Sequence, residues 1–304
     1  MRCAVIDVGS NSVLLTVADK NGDPILELDR VTALGEGLNT SKRLRHDAME
    51  RTARAVCDFK KTAEKMGAER VIAVGTMALR VASNAGDFLK LVNGLCGIKI
   101  KIISGDEEAK LSYEAAVSSL KLSGSTVVAD IGGRSTDIAC GEGENLIRTY
   151  SLDLGALKIL EGSHLNFKEA LHLSDIQRLQ NEIFEYLSEN LLKTTPQNFV
   201  IIGGTATNLA AMKLHLRQYD PEKVHGLELS RASIEKLLKK LISMPISARR
   251  KLIGLQPERA EVIIPGTVII LALMDFYGQD YAIVSDRGLR HAILARCYSD
   301  KLKR

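Results

Sequence analysis

CAVIDVGSNS at residues 3–12 and VVADIGGRSTD at residues 127–137 read as one device written twice. Each is a short apolar run that delivers an aspartate, Asp7 or Asp130, into a turn of glycine and hydroxyl residues. Glycine lets the backbone approach a ligand with no Cβ in the way, and successive turn amides can then converge on anionic oxygens. The carboxylate beside them offers the oxygen that a hard cation such as Mg2+ takes. A single Asp-x-Gly-x-Ser turn is ordinary hairpin chemistry, in which the aspartate merely caps the turn. Two copies 123 residues apart raise a different expectation, two like halves gripping a phosphate and its metal from opposite walls of a cleft.

Working outward, the strand pattern restarts with the turn. Cys3 to Asp7, Val13 to Asp19 and Ile25 to Val31 form the first set, with Asn21-Gly22 as a hairpin turn. Thr126 to Asp130, Thr136 to Cys140 and Leu146 to Leu152 repeat it. Apolar residues at Met49, Ala53, Val56, Phe59, Ala63 and Met66 predict a helix from His46 that stops at Gly67. Further strands are expected at Arg70 to Val74, Ile98 to Ile103, Phe199 to Ile202 and Tyr281 to Val284. Helices are expected over Asp106 to Leu120, Ser174 to Leu192, Ser233 to Ser243 and from Arg259 onward, the last broken or kinked at Pro265. The alternation implies an α/β fold with mixed sheets, divided into residues 1–120 and 121–288, with a terminal helix, 289–304, packing back on the first half.

Three further features could carry chemistry. Gly203-Gly204-Thr205 leads from a strand into a helix start, whose free amides and dipole suit an anion; a plain glycine turn is the alternative. Asp106, Glu107 and Glu108 open a helix, where acids complement the dipole, but one of them could also take a proton from an attacking water. Arg80 follows a strand end and could neutralise a phosphate.

The bulk numbers narrow the class. At 304 residues, with 45% hydrophobic and 26% charged residues, the chain is an ordinary globular protein of about two domains. A net charge of +4 does not announce a nucleic-acid partner, and the basic stretches Lys42 to Arg45 and 301–304 read as solvated surface. Five scattered cysteines without a Cys-x-x-Cys pair argue against structural zinc and against a disulfide framework. His46 and His291 read as capping or surface residues. The N-terminus enters a strand at once, which leaves no signal peptide, and the most apolar stretch is too short for a membrane span. A cytoplasmic protein with no DNA or membrane partner is expected, with a homodimer as the default assembly.

AVIDVGSNS, LGEGL (34–38), GTMALRVASN (75–84), ISGDEEAKL (103–111), VADIGGRSTD, GGTATNLA and VSDRGLR (284–290) together resemble the exopolyphosphatase and guanosine pentaphosphate phosphohydrolase (Ppx/GppA) family. That resemblance implies two ribonuclease-H-like domains of the actin, heat-shock chaperone and sugar-kinase superfamily around an interdomain cleft. It implies hydrolysis of inorganic polyphosphate or guanosine pentaphosphate with Mg2+ or Mn2+. Carried over by position, Glu108 would activate the water, Arg80 would face the phosphates, and Asp7 and Asp130 would hold the metal. Gly9, Ser10 and Asn11 would form the first phosphate loop and Gly132, Gly133, Arg134, Ser135 and Thr136 the second, with Gly204 and Thr205 as further phosphate contacts. The chain departs from the family at Ala33, Arg134 and Asp137, and lacks the C-terminal helical extension of longer members. Arg134 either supplies a charge to a polyanionic substrate or crowds the loop. The competing readings are a kinase of the same fold and a non-catalytic alarmone or phosphate sensor.

Overall fold

The computed structural model describes residues 1–302, and side chains up to Tyr298. They form two compact units, residues 1–111 with those from Leu289 onward, and Ser112–Gly288. In chain order the elements of the first are β1 (Arg2–Val8), β2 (Ser12–Ala18), β3 (Pro24–Val31), α1 (Leu38–Ser41), α2 (His46–Lys65), β4 (Ala68–Gly75), α3 (Met77–Val81), α4 (Ala85–Cys96), β5 (Ile100–Ile102) and the start of α5 (Gly105–Leu120). The division at residue 111 falls inside α5, nine residues before the boundary read from the sequence.

The second unit continues with β6 (Ser125–Ile131), β7 (Thr136–Glu142), β8 (Asn145–Leu152), α6 (Ala156–Gly162), α7 (Leu173–Asn190), β9 (Asn198–Ile202), α8 (Gly204–Lys213), α9 (Pro221–Val224), β10 (Glu228–Ser230), α10 (Arg231–Ile242), α11 (Ile246–Arg249), α12 (Ile263–Tyr277) and β11 (Tyr281–Ser285). The chain then returns to the first unit as α13 (Leu289–Leu302).

The two sheets are built alike. The first runs β3-β2-β1-β4-β5 and the second β8-β7-β6-β9-β11, with β10 added at its edge. In each, three antiparallel strands meet a parallel pair along the strand that carries the aspartate. This is the ribonuclease-H-like arrangement. β1 and β6 lie inside their sheets and are covered on both faces, so Cys3–Ile6 and Val127–Ala129 are buried without alternation.

The helices follow from their apolar faces. α2 buries Met49, Ala53, Val56 and Phe59 on the first sheet and stops where Gly67 takes φ 78° and its amide donates to Glu64 O. In α12 every residue except Asp275 is buried, the mark of a helix inside a core rather than on its surface. Pro265 does not break this helix. It sits in the first turn, where no intrahelical acceptor awaits its missing N–H.

Two further expectations are corrected. Cys57 of α2 and Cys96 of α4 form a disulfide with Cα atoms 5.6 Å apart, joined by helix packing that a separation of 39 residues does not reveal. His291 is an inward residue: its Nε2 lies 3.2 Å from Glu27, beside Arg290, which donates to Thr16 Oγ1 at 2.8 Å. These contacts pin α13 to β2 and β3. Lys42, Arg43 and Arg45 are exposed as expected, although Leu44 between them is buried; the side chains of 301–304 lie outside the described residues.

Candidate active site

The repeated turns agree in detail. Asp7 opposes Leu14 and Val8 opposes Val13 across β1–β2; Asp130 opposes Asp137 and Ile131 opposes Thr136 across β6–β7. Advanced by 123 residues, the first register is the second. Gly9 N donates to Ser12 O at 2.9 Å and Gly132 N to Ser135 O at 2.9 Å. A Cβ at Gly9 or Gly132 would stand 3.0 Å from that same carbonyl oxygen, which is why each turn has glycine there. Each turn is also braced on its carbonyl side. Thr32 N and Ala33 N donate to Asn11 O and Gly35 N to Ser10 O; Ala156 N donates to Gly132 O and Leu157 N to Gly133 O. The LGEGL stretch and the start of α6 thus do the same work, fixing the turns so that their amide edges are preformed for anionic oxygens.

A third feature is repeated as well. Asp7 pairs with Val74 and Asp130 with Ile202, in both cases the residue before a glycine that ends the parallel strand. Gly75-Thr76 then starts α3 and Gly203-Gly204-Thr205 starts α8. Gly203 has φ 101°, and a Cβ there would come 2.6 Å from Ile131 O and 3.4 Å from Asp130 Oδ1, so the third turn lies directly beside the second. Gly204 is open for a different reason: a Cβ would strike the Arg259 guanidinium at 2.0 Å.

Arg259, 9% exposed, is the main residue that sequence reading passes over at this turn. Its Nε donates to Gln256 Oε1 at 2.6 Å, Gln256 N donates to Asn208 Oδ1 at 2.7 Å, and Asn208 Nδ2 donates to Gly204 O at 2.8 Å. The cation is therefore tied to the helix start through a chain of three hydrogen bonds. Gly266 is the available signal for another contact: a glycine inside a mostly apolar helix marks close approach, and Thr205 Oγ1 lies 2.2 Å from where its Cβ would be.

The three acids of α5 separate by environment. Asp106 is exposed, and Glu107 pairs with Lys101 at 2.9 Å while its amide is capped by Ser104 Oγ. Glu108 turns inward, its side chain 13% exposed, and its Oε2 accepts from Arg80 Nη1 at 2.6 Å. Arg80 is fixed in turn by donating to Ile103 O at 3.1 Å.

The remaining expected site residues divide. Asp130 is half-buried and its Oδ2 accepts from Ser112 Oγ at 2.8 Å. Gly288 of the VSDRGLR stretch borders both of these groups. Asp137 is buried opposite it and accepts from Ser135 Oγ at 2.9 Å. Thr136 spends its hydroxyl on Leu154 O at 2.7 Å. Arg134 is 4% exposed and ion-paired with Glu161 of α6 at 3.0 Å, so its side chain braces the turn instead of offering a charge to solvent.

The donor chemistry can be tested against a metal. Two carboxylates facing each other across a strand pair repel, a cost that a divalent cation would relieve. Among the described residues no group of three or more His, Cys, Asp or Glu gathers as a metal cage. The Asp130–Asp137 pair matches the donor set of Mg2+ in type and number, one or two carboxylates with the shell completed by water and substrate phosphate.

Two ribonuclease-H-like units, each with an aspartate strand running into a backbone phosphate turn, define a phosphoryl-handling protein class. The chain matches the Ppx/GppA phosphatase family over residues 14–300 and belongs to it. It is 30% identical to Exopolyphosphatase 2 of Mycobacterium tuberculosis over 96% of this chain and 97% of that protein. It is 32% identical to a bifunctional 3-dehydroquinate synthase/phosphatase of Fusobacterium nucleatum (96% of this chain, 46% of the relative). With the guanosine-5'-triphosphate,3'-diphosphate pyrophosphatase of Aliivibrio fischeri it shares 30% identity (97% and 58%). The chain thus spans about half the length of the last two. The crystal structure of the Aquifex aeolicus Ppx/GppA family member superposes with a TM-score of 0.82 at 35% identity, covering 100% of this chain and 98% of that one. No helix among the described residues is long and apolar enough to cross a membrane.

Proposed function

We infer that the protein hydrolyses a terminal phosphoanhydride bond, with inorganic polyphosphate or guanosine pentaphosphate as substrate, in the cytoplasm. The observation that carries this reading is Glu108: of three adjacent acids it alone is drawn inward and bonded to a guanidinium. Such a carboxylate takes a proton from water as that water attacks the terminal phosphorus. The phosphorus–oxygen bond to the leaving chain then breaks, and the leaving oxygen carries away the negative charge. The turns at Gly9-Ser10-Asn11 and Gly132-Gly133 present amides to the phosphate oxygens, and Gly204-Thr205 adds a helix start. Arg80 neutralises charge on the transferred group while keeping Glu108 in place. Mg2+ or Mn2+, held by Asp7 and Asp130 with Asp137 alongside, would supply further charge stabilisation when bound. Ser135 and Thr136 support the second turn through their bonds to Asp137 and Leu154.

Arg134 is left out of the phosphate-binding set. Its burial against Glu161 supports that choice and weighs against the sensor reading, which rests on Arg134 crowding the loop. Phosphate release from polyphosphate and from guanosine pentaphosphate, measured in parallel with Mg2+ and with Mn2+, tests the reading. Release from at least one substrate is expected, and release from neither would overturn it.

A further inference from the structure

A cavity of about 630 Å³ opens in the second unit between the end of α8, one face of α10 and the segment after α11. Lys213, Lys236, Lys240 and Lys251 surround it, with no Asp or Glu among its lining residues. The chain as a whole is nearly balanced, with 41 Lys and Arg against 37 Asp and Glu, so four cations around one cavity is a local segregation of charge. None of the four takes part in an ion pair among the described residues. Lys213 and Lys240 stand in the last turns of their helices, where a cation suits the dipole. Lys236 and Lys251 have no such account, and Lys236 repels Lys240 one turn away on the same helix face. A concave site lined by one sign concentrates counter-ions of the other.

The floor differs from the rim. Leu237 and Leu252 line it, and Ile253 is 47% exposed there. An inorganic phosphate chain has nothing to lay on these groups, whereas a nucleoside base has an apolar face. The volume lies in the range of small-molecule sites. We propose that this cavity is a second ligand site, separate from the phosphate turns, for a nucleotide-sized amphipathic polyanion of the nucleoside di- or triphosphate class. The phosphates lie among the four lysines and the base covers Leu237, Leu252 and Ile253.

The chain contains no tryptophan, so Ile253→Trp places its one tryptophan at the cavity floor. Titration of that full-length variant with ADP should give a saturable fluorescence change with half-saturation below about 1 mM. Adenosine and inorganic tripolyphosphate should each bind at least roughly tenfold more weakly, and Lys236→Glu with Lys240→Glu should weaken ADP by at least roughly tenfold. Should that double variant lose its circular-dichroism melt, Lys213→Gln with Lys251→Gln serves in its place. No saturable change, equal binding of tripolyphosphate, or ADP binding indifferent to the lysines overturns the proposal. The readout does not use turnover, so it stands or falls separately from the hydrolase reading.

Discussion

The first and second units hold the same backbone turn in the same register, yet surround it with different side chains. Opposite Asp7 stands Leu14, and opposite Asp130 stands Asp137. The first turn is braced by a loop, the second by the start of α6 with a buried Arg134–Glu161 pair. The first unit also carries Glu108 and Arg80, and the second carries Ser112 against Asp130. The lesson is a division of labour. A turn that can cradle phosphate is a property of backbone and needs only glycine in the right register, so both copies keep that turn. On the proposed reading proton transfer needs a particular carboxylate, found only in the first unit, and the metal draws on one aspartate of each unit, with a second carboxylate facing it only in the second.

That division can be broken at its most specific point first. Glu108→Gln should lower turnover by about two to four orders of magnitude with no change in thermal unfolding. Next, the aspartates should separate. Asp130→Asn should raise the Mg2+ concentration for half-maximal rate more than Asp7→Asn does, because Asp130 has a second carboxylate facing it; a metal titration of both variants reads this.

Backbone variants sharpen the comparison further. Gly203→Ala meets Ile131 O at 2.6 Å with φ 101°, so a loss of about 2–4 kcal/mol is expected in denaturant unfolding. Gly75→Ala meets the movable Leu79 Cδ1 at 2.4 Å and should cost less, on the order of 1 kcal/mol. Gly9→Ala and Gly132→Ala face the same 3.0 Å contact and should cost the same to within about 0.5 kcal/mol.

The smallest effect at neutral pH concerns Glu27. Burial pushes its carboxyl up, but the hydrogen bond and charge of His291, the charge of Arg290 and the Thr16 hydroxyl outweigh it and hold it down at about 2, against an ordinary 4.5. A carboxyl depressed in the folded state stabilises above its unfolded value and loses that stability as pH falls towards its folded one. The attachment of α13 should therefore weaken between pH 4.5 and 2, by on the order of 3 kcal/mol at most. Glu27→Gln should flatten this acid limb in melts followed across that range.

What was legible in the sequence is what the backbone encodes locally. Glycine spacing and the restarted strand pattern carry the turns and the repeat, since each copy is set within some thirty residues of chain, whereas the ribonuclease-H-like order comes from the family resemblance. The rest depends on contacts between distant segments. The meeting of Cys57 with Cys96, the guanidinium of Arg259 over Gly204 and the Thr205–Gly266 contact leave no periodic trace. The Arg134–Glu161 pair is not legible either, because Glu161 lies 27 residues on in a short helix with no clear signal. Pro265 reads as a break or kink in the sequence because the helix start at Ile263 has no polar cap to mark it. The acids at 106–108 were legible as a set, and only their surroundings single out one.

The most direct measurement is single-turnover phosphate release from polyphosphate with Mg2+, comparing Asp106→Asn, Glu107→Gln and Glu108→Gln with the unaltered chain. The account expects the first two to keep the rate within about threefold and the third to lose at least about a hundredfold. Comparable losses in all three, or an undiminished rate in Glu108→Gln, would contradict it.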